Sequence, residues 1–101
     1  MTEFKIEAKK ILDELFLLTE KEFENFEVDY EDENLVIQTC SGEKTFIISI
    51  HEPTSQIWLS SPISGAHHFK KDKKSLEWIN TRDENIKLHD LLKIELNETN
   101  D

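Results

Sequence analysis

The stretch that decides the fold is Gln56–Phe69, which reads QIWLSSPISGAHHF. Its first part alternates in polarity, so it predicts a strand in which Ile57 and Leu59 face the core. The proline and glycine that follow predict a turn into a second strand. Trp58 must then lie on the polar face of the first strand. A large aromatic residue on a solvated face is a candidate contact residue for a partner, and packing against neighbouring sheet side chains is the alternative explanation.

Helical and strand periodicities on either side of this stretch predict the remaining elements. Residues 3–26 predict one long amphipathic helix, because apolar side chains recur along one face at about 3.6-residue spacing. Residues 86–97 predict a shorter closing helix on the same grounds. In the last predicted strand, Leu76 and Trp78 are expected to face the core. Alternating polarity predicts strands over residues 28–31, 35–39, 45–50, 56–61, 68–70 and 75–79.

The order of these elements predicts the fold class. Hairpin-length connections require an antiparallel sheet, because parallel neighbours need long crossovers. Two amphipathic helices at opposite ends of the chain cover one face of the sheet and leave the other face solvated. The sequence therefore predicts a single domain over residues 1–101, a two-layer α+β sandwich with five or six antiparallel strands.

The charge balance is the strongest compositional feature. Twenty-two acidic residues oppose twelve basic ones, which gives a formal net charge of −10 at pH 7. Residues 1–33 hold twelve of the acidic residues and only four lysines. Nucleic acid is not expected as a partner, because this surface would repel phosphates. A cation or a basic patch on another protein suits the charge better.

Four carboxylates, Asp13, Glu20, Glu24 and Glu27, fall on the side of the predicted first helix opposite its apolar face. Like charges at this spacing destabilise a helix by roughly 0.2–0.5 kcal/mol per pair, and folding does not require them. Exposed carboxylates are hard oxygen ligands that suit Fe²⁺, Fe³⁺, Mn²⁺, Ca²⁺ or Mg²⁺, bound weakly and with little selectivity. A solvated acidic face without any ligand is the alternative.

No other pattern predicts a metal site or a catalytic site. His67 and His68 are neighbours on a predicted strand and point to opposite faces, so they cannot both bind one metal ion. His51 and His89 are expected to be ordinary surface histidines, and the single cysteine, Cys40, an ordinary thiol. The sequence has no phosphate-binding glycine loop, no GxSxG and no HExxH, so intrinsic catalysis is not supported.

The sequence also gives expectations about compartment and membranes. A single cysteine cannot form an intramolecular disulfide, which favours a reducing compartment. No apolar run approaches the ~20 residues that span a bilayer, so no membrane association is expected. The first residues, MTEFKIE, resemble neither a secretory signal nor a transit peptide, which favours a bacterial cytosol over the alternative, a mitochondrial matrix.

Several motifs along the chain together resemble those of one known family. The central motif is QIWLSSPxSG at Gln56–Gly65, which runs into His68 and Phe69. The pair EP at 52–53, the segment EWI at 77–79 and the segment LHDLL at 88–92 also resemble frataxin positions in the right order. The resemblance extends over essentially the whole chain, and it implies the same two-layer sandwich.

The resemblance implies an iron-binding protein that regulates iron–sulfur cluster assembly, or supplies iron to it, by binding a cysteine desulfurase and scaffold complex. Frataxins bind iron and a basic patch on the desulfurase through an acidic ridge. By position, the acidic ridge corresponds here to Glu20, Glu24, Glu27, Asp29 and Glu31, with Asp13 and Glu22 as additions. The exposed tryptophan of the family corresponds to Trp58, beside which lie the further partner-binding residues Gln56, Ser60, Ser49 and His68.

The resemblance further implies weakly bound iron, as Fe²⁺ or Fe³⁺, with other divalent cations as alternatives. A monomer is expected, and an iron-dependent oligomer is the alternative state. Two rival functions stay open. One is a ferroxidase or iron-storage oligomer, and the other is an acidic adaptor that recognises proteins through Trp58 without any metal.

Overall fold

The computed structural model describes residues 3–99, which form two α-helices, six strands and one short 3-10 helix. Helix α1 spans Glu3–Glu22, and helix α2 spans Leu88–Thr99. The 3-10 helix covers Glu52–Thr54, where Pro53 ends the preceding strand. The strands are β1 (Phe26–Glu31), β2 (Asn34–Thr39), β3 (Thr45–His51), β4 (Gln56–Ser61), β5 (Gly65–Lys71) and β6 (Trp78–Asn80).

The six strands of the described chain form one sheet in the order β1-β2-β3-β4-β5-β6. Every neighbouring pair is antiparallel. The short connections dictate this arrangement, because each strand reaches its sequence neighbour through a turn or loop rather than a crossover. The predicted α+β sandwich with an antiparallel sheet is therefore confirmed. No helix in residues 3–99 combines the length and the apolar character needed to span a bilayer.

The core lies between the two helices and one face of the sheet. Its helical side chains recur every three or four residues, and its strand side chains occupy alternate positions, as the two periodicities require. No helix of the described residues 3–99 covers the other face of the sheet, which is called the outer face below. The fully buried core residues include Ala8, Leu12, Leu15, Phe46, Ile48, Ile57, Phe69, Leu88, Leu92 and Leu96.

The first helix ends four residues earlier than the sequence predicts. After Glu22 the chain turns, with the Phe26 N–H donating to the Phe23 carbonyl at 3.2 Å, and Phe26 begins β1. The rings of Phe23 and Phe26 pack edge to face with centroids 6.2 Å apart, and both side chains are buried. Glu24 consequently lies in the turn and Glu27 on β1. The prediction that four carboxylates lie along one side of the first helix is therefore wrong for Glu24 and Glu27.

The last strand is also displaced from its predicted position. Leu76 was expected to face the core from a strand over residues 75–79, but it lies in the β5–β6 loop and is 65% exposed. The Asp72 carboxylate accepts hydrogen bonds from the N–H and the hydroxyl of Ser75, and the Leu76 N–H donates to the Asp72 carbonyl. This turn holds Leu76 at φ 62° and delays the strand to Trp78, whose burial is as predicted.

The remaining boundaries differ by a few residues. Strand β5 begins at Gly65 rather than residue 68, and it pairs with β4 from the turn onward. Helix α2 begins at Leu88 rather than residue 86 and continues to Thr99. Ile86 precedes the helix and still packs against the core.

A buried carboxylate joins α2 to the β4–β5 turn. Glu95 is only 5% exposed, and its Oε1 accepts a hydrogen bond of 2.6 Å from the Ser61 hydroxyl. The Ser61 Oγ in turn accepts hydrogen bonds from the N–H groups of Ile63 and Ser64. The Ser61 hydroxyl therefore forms hydrogen bonds both with the backbone of the β4–β5 turn and with the side chain of Glu95 on α2.

Replacing Ser61 by alanine is expected to lower the free energy of unfolding by about 1–3 kcal/mol, because it leaves a buried carboxylate oxygen without its donor. Urea unfolding measures this loss. Ser60→Ala, one residue away on the outer face, is the matched control and should change stability by no more than about 0.5 kcal/mol. Equal stability of the two variants would contradict the role given to Ser61.

Candidate functional site

The outer face carries most of the predicted site residues. On β1 the side chains of Phe26, Val28 and Tyr30 turn toward the core, so those of the intervening acidic residues project from the opposite face. Strand β4 alternates in the same way. The predicted residues on the outer face are Glu27, Asp29 and Glu31 on β1, Ser49 on β3, Gln56, Trp58 and Ser60 on β4, and His68 on β5.

Strand register joins the acidic and aromatic parts of this face. One row of paired residues crosses the sheet from Glu31 through Asn34, Ser49 and Trp58 to His68. The Ser49 hydroxyl donates a hydrogen bond of 2.7 Å to Asn34 Oδ1 within that row. The β1 carboxylates and the tryptophan therefore belong to one continuous surface.

The acidic ridge is exposed and open in shape. Glu20 lies in the last turns of α1 and Glu24 in the following turn, and both side chains are exposed like those of the β1 carboxylates. Glu27 accepts a hydrogen bond of 3.4 Å from Gln38 Nε2. Within residues 3–99, no three histidine, cysteine, aspartate or glutamate side chains are arranged to hold one metal ion. The ridge thus presents exposed carboxylate oxygens without a preformed cage around them.

The two carboxylates considered as additions to the ridge are engaged by other side chains. Asp13 Oδ1 accepts a hydrogen bond of 2.7 Å from the Tyr30 hydroxyl, which ties α1 to β1. A Glu22 carboxylate oxygen lies 3.9 Å from the Lys93 ammonium on α2. Burial, reinforced by the Asp13 hydrogen bond and charge, raises the pKa of Tyr30 to about 12.

The raised pKa of Tyr30 predicts a loss of stability at high pH. An unfolded tyrosine titrates near pH 10, whereas folded Tyr30 keeps its proton to about pH 12. The stabilisation is therefore present below about pH 10 and lost as pH rises from about 10 to about 12. Because Tyr30 is the only tyrosine, tyrosinate absorbance reports this group alone.

Asp13→Asn is expected to move the pKa of Tyr30 down toward its ordinary value, because the neighbouring negative charge is removed. Glu14→Gln, at the next position on α1, is the control and should leave the titration unchanged, since Glu14 lies by His89 instead. An unchanged titration in the Asp13 variant would contradict the assignment.

Trp58 is sandwiched between two histidines. The ring of His51 stacks on one face of the indole with centroids 3.8 Å apart, and His68 stacks on it with centroids 4.4 Å apart. The indole N–H donates a hydrogen bond of 2.8 Å to Gln56 Oε1. Trp58 is half-buried as a result, and it presents its edge rather than its ring faces to solvent.

The prediction that His51 is an isolated surface histidine is therefore wrong. His51 pairs with Gln56 across the sheet while Trp58 pairs with Ser49, so His51 and Trp58 are diagonal neighbours on one face. The predicted third strand ended at residue 50, so His51 lay outside it, and the contact follows only from the pairing of β3 with β4. His89 is likewise engaged, because its Nε2 lies 3.6 Å from a Glu14 carboxylate oxygen.

His67 points away from this stack, as predicted. Its ring nitrogens contact the Ser64 hydroxyl at 2.8 Å and the Asn80 side-chain amide at 3.1 Å. His68 is therefore the member of the pair that belongs to the outer face. Cys40 is exposed, and its thiol donates to the Asn25 carbonyl at 3.1 Å.

The stack predicts protection of Trp58 from a soluble quencher. In a Trp78→Phe background Trp58 is the sole tryptophan. His51→Ala or His68→Ala is then expected to roughly double acrylamide quenching, because each uncovers one of the two ring faces. His67→Ala, which removes a ring from the opposite face of β5, should leave quenching unchanged. Equal quenching in the background protein and its three histidine variants would contradict the stacking of His51 and His68 on Trp58.

These features define the class of protein. The chain is an α+β sandwich in which two helices pack on an antiparallel six-stranded open sheet, with acidic side chains on one edge strand and an aromatic cluster on the outer face. A model of the frataxin-like domain matches residues 1–101. The chain belongs to the frataxin family.

Individual relatives agree with this assignment. The chain is 44% identical over 69 residues to the mitochondrial frataxin homolog of Schizosaccharomyces pombe, across 67% of this chain and 42% of the relative. It is 39% identical over 75 residues to mitochondrial frataxin of Arabidopsis thaliana, across 74% of this chain and 39% of the relative. The chain thus spans less than half the length of these relatives.

Solved structures share the fold. Trimeric frataxin from Saccharomyces cerevisiae, complexed with ferrous iron, superimposes with a TM-score of 0.71 at 28% identity, over 99% of this chain and 88% of that one. Frataxin from Psychromonas ingrahamii superimposes with a TM-score of 0.73 over 94% and 90% of the two chains. Its sequence identity of 19% supports the fold alone.

Proposed function

We propose that this protein binds iron weakly at the acidic ridge and docks on a cysteine desulfurase and scaffold complex, where it regulates iron–sulfur cluster assembly or supplies iron to it. The observation that carries the proposal is the continuity of the β1 carboxylates with the Trp58 cluster on the outer face. Membership of a family known for iron binding and iron–sulfur assembly supports it. The yeast relative complexed with ferrous iron supports the choice of metal.

The chemistry of the ridge favours a weakly held, exchangeable cation. Its ligands are carboxylates on an exposed strand and turn, and they do not converge on one point within residues 3–99. Binding must therefore draw mobile side chains together, which costs conformational entropy and lowers affinity. Fe²⁺ and Fe³⁺ bind through oxygen, and other hard divalent cations compete for the same ligands.

Docking would combine charge attraction with the aromatic cluster. The carboxylates of β1 steer the chain toward a basic patch on the desulfurase, and the Trp58 cluster with Ser49, Gln56 and Ser60 then contacts the scaffold complex. Exposed charges are screened over about 10 Å at about 0.1 M salt, so the association is salt-sensitive. Iron on the ridge reduces its negative charge and competes with this docking.

The test is an anaerobic Fe²⁺ titration followed by amide NMR, together with a desulfurase binding assay. Iron is expected to broaden amides of residues 20–31 first, because those residues hold the ridge. The variant Glu27→Lys, Asp29→Lys, Glu31→Lys is expected to lose this broadening and to bind desulfurase at least about tenfold more weakly.

A matched control changes the net charge by the same amount elsewhere. Glu43→Lys, Glu84→Lys, Glu98→Lys alters three exposed carboxylates outside the ridge and should keep both activities. Equal losses of iron broadening and of desulfurase binding in the two triple variants would mean that only the net charge of the protein matters, and would overturn the proposal. Normal iron broadening and desulfurase binding in the ridge variant would overturn it as well.

Two measurements separate the rival functions: the anaerobic titration above, and a second titration in the presence of oxygen. A ferroxidase or storage oligomer requires large particles when iron and oxygen are present, and light scattering detects such particles. The trimeric state of the yeast relative is the observation that supports this rival. A metal-independent adaptor requires partner binding that depends on Trp58 while millimolar iron leaves the amides unchanged.

A further inference from the structure

A cavity lies beside the first residues of strand β5, between the β4–β5 turn and the loop that connects β6 to α2. Its volume is about 310 Å³, at the lower end of the range for sites that hold a small molecule. His68 borders the cavity from the outer face, whereas β1, with its ridge carboxylates, lies at the other edge of the sheet. The cavity is therefore separate from the acidic ridge.

A chain of hydrogen bonds fixes the direction in which the Ser64 hydroxyl acts. The backbone N–H of Arg82 donates to Asn80 Oδ1 at 2.8 Å, so the Asn80 side chain presents its NH₂ group to His67. His67 Nδ1 lies 3.1 Å from this NH₂ group and must accept from it, which places the ring proton on Nε2. Nε2 then donates to Ser64 Oγ at 2.8 Å. The hydroxyl hydrogen of Ser64 is therefore free to donate into the cavity.

The backbone of Ala66 adds a donor and an acceptor to the same cavity. Strand β6 pairs with β5 at Phe69–Lys71, so within residues 3–99 no strand lies beside this edge of β5 before residue 69. The His68 carbonyl points to the edge, where it accepts the Thr81 N–H at 2.9 Å. In an extended strand the backbone groups of alternate residues point to the same side, so the N–H and C=O of Ala66 point there too.

The loop after β6 supplies one charge of each sign. Arg82 and Asp83 both line the cavity, both are exposed, and neither forms an ion pair within residues 3–99. Asp83 Oδ1 accepts the Asn85 N–H at 3.0 Å, which leaves the second carboxylate oxygen available to a ligand. Ile86 adds an apolar surface. A ligand that satisfies all of these groups is small and carries both an anionic and a cationic group.

We infer that this cavity binds a small α-amino acid in its zwitterionic form. The carboxylate accepts hydrogen bonds from the Ser64 hydroxyl and the Ala66 N–H, and it pairs with Arg82. The ammonium group donates to the Ala66 carbonyl and pairs with Asp83, while a small side chain lies against Ile86. A simple anion fits less well because Asp83 repels it, and a simple cation fits less well because Arg82 repels it. The inference does not rest on the iron function.

The probe is L-alanine, titrated to millimolar concentration into the ¹⁵N-labelled chain and followed by NMR. Amides of residues 64–68 and 81–86 are expected to shift, and those of residues 20–31 to stay in place. Arg82 is the only arginine, so its side-chain Nε–H signal reports carboxylate binding at this site alone. Acetate and methylammonium, which each carry one of the two charges, should bind at least about tenfold more weakly than L-alanine.

Variants separate the contributions of the lining groups. Ser64→Ala and Arg82→Gln should each weaken L-alanine binding about three- to tenfold, because each removes a donor to the carboxylate. Asp83→Asn keeps a side-chain oxygen that accepts the Asn85 N–H, so the loop retains its turn. This variant should bind L-alanine at least about threefold more weakly and acetate more tightly. The control Glu84→Gln removes one carboxylate at the next position, outside the cavity, and should leave both affinities unchanged.

Three outcomes overturn the inference. Acetate that binds as tightly as L-alanine would mean a non-specific anion site. Absence of shifts at residues 64–68 and 81–86 in millimolar L-alanine would mean that the cavity does not hold such a ligand. Equal changes in Asp83→Asn and Glu84→Gln would mean that only the net charge of the loop matters.

Discussion

The hydrogen-bonded register between β3 and β4 is the constraint on which the rest of the structure depends. It pairs Ile48 with Leu59 on the core side and Ser49 with Trp58 on the outer side. A slip of one residue would exchange the two faces, because side chains alternate along a strand. Trp58 would then enter the core, and the apolar residues that hold both helices would face water. The same register creates both the core and the aromatic cluster.

Clusters of negative charge and of positive charge lie at different places in the fold. The carboxylates of the acidic ridge lie at the end of α1 and along β1, which is one edge of the sheet. A lysine-rich segment, residues 70–74, leads from β5 toward β6 near the other edge. The two charged regions therefore share no residue.

Local patterns predicted the fold well because strand alternation and helical spacing report the same apolar core. They failed at two places where a turn, held by contacts between residues three or four positions apart, replaced the expected helix or strand. Phe23 and Phe26 fit a helical repeat, yet they pack together around a turn, which moved Glu24 and Glu27 off the predicted helix. Leu76 fits a strand, yet the hydrogen bonds of Asp72 turn it outward.

In the candidate site, too, some features follow from local sequence patterns and others do not. The outward positions of Trp58, Ser49 and His68 follow from alternation alone. The stacking of His51 on Trp58 requires the β3–β4 pairing, which is a property of two strands and not of either one. The bond between Ser61 and Glu95 joins residues 34 positions apart, a separation at which a local pattern carries no information.

The position of β1 at the sheet edge has a consequence for how copies of the chain meet. An edge strand leaves backbone N–H and C=O groups unpaired, and such edges invite pairing with another molecule. Glu27, Asp29 and Glu31 place a negative charge at every second residue of this edge. Mutual repulsion keeps two such edges apart. A cation bound between these carboxylates would weaken that repulsion and would thereby favour strand-to-strand association at this edge.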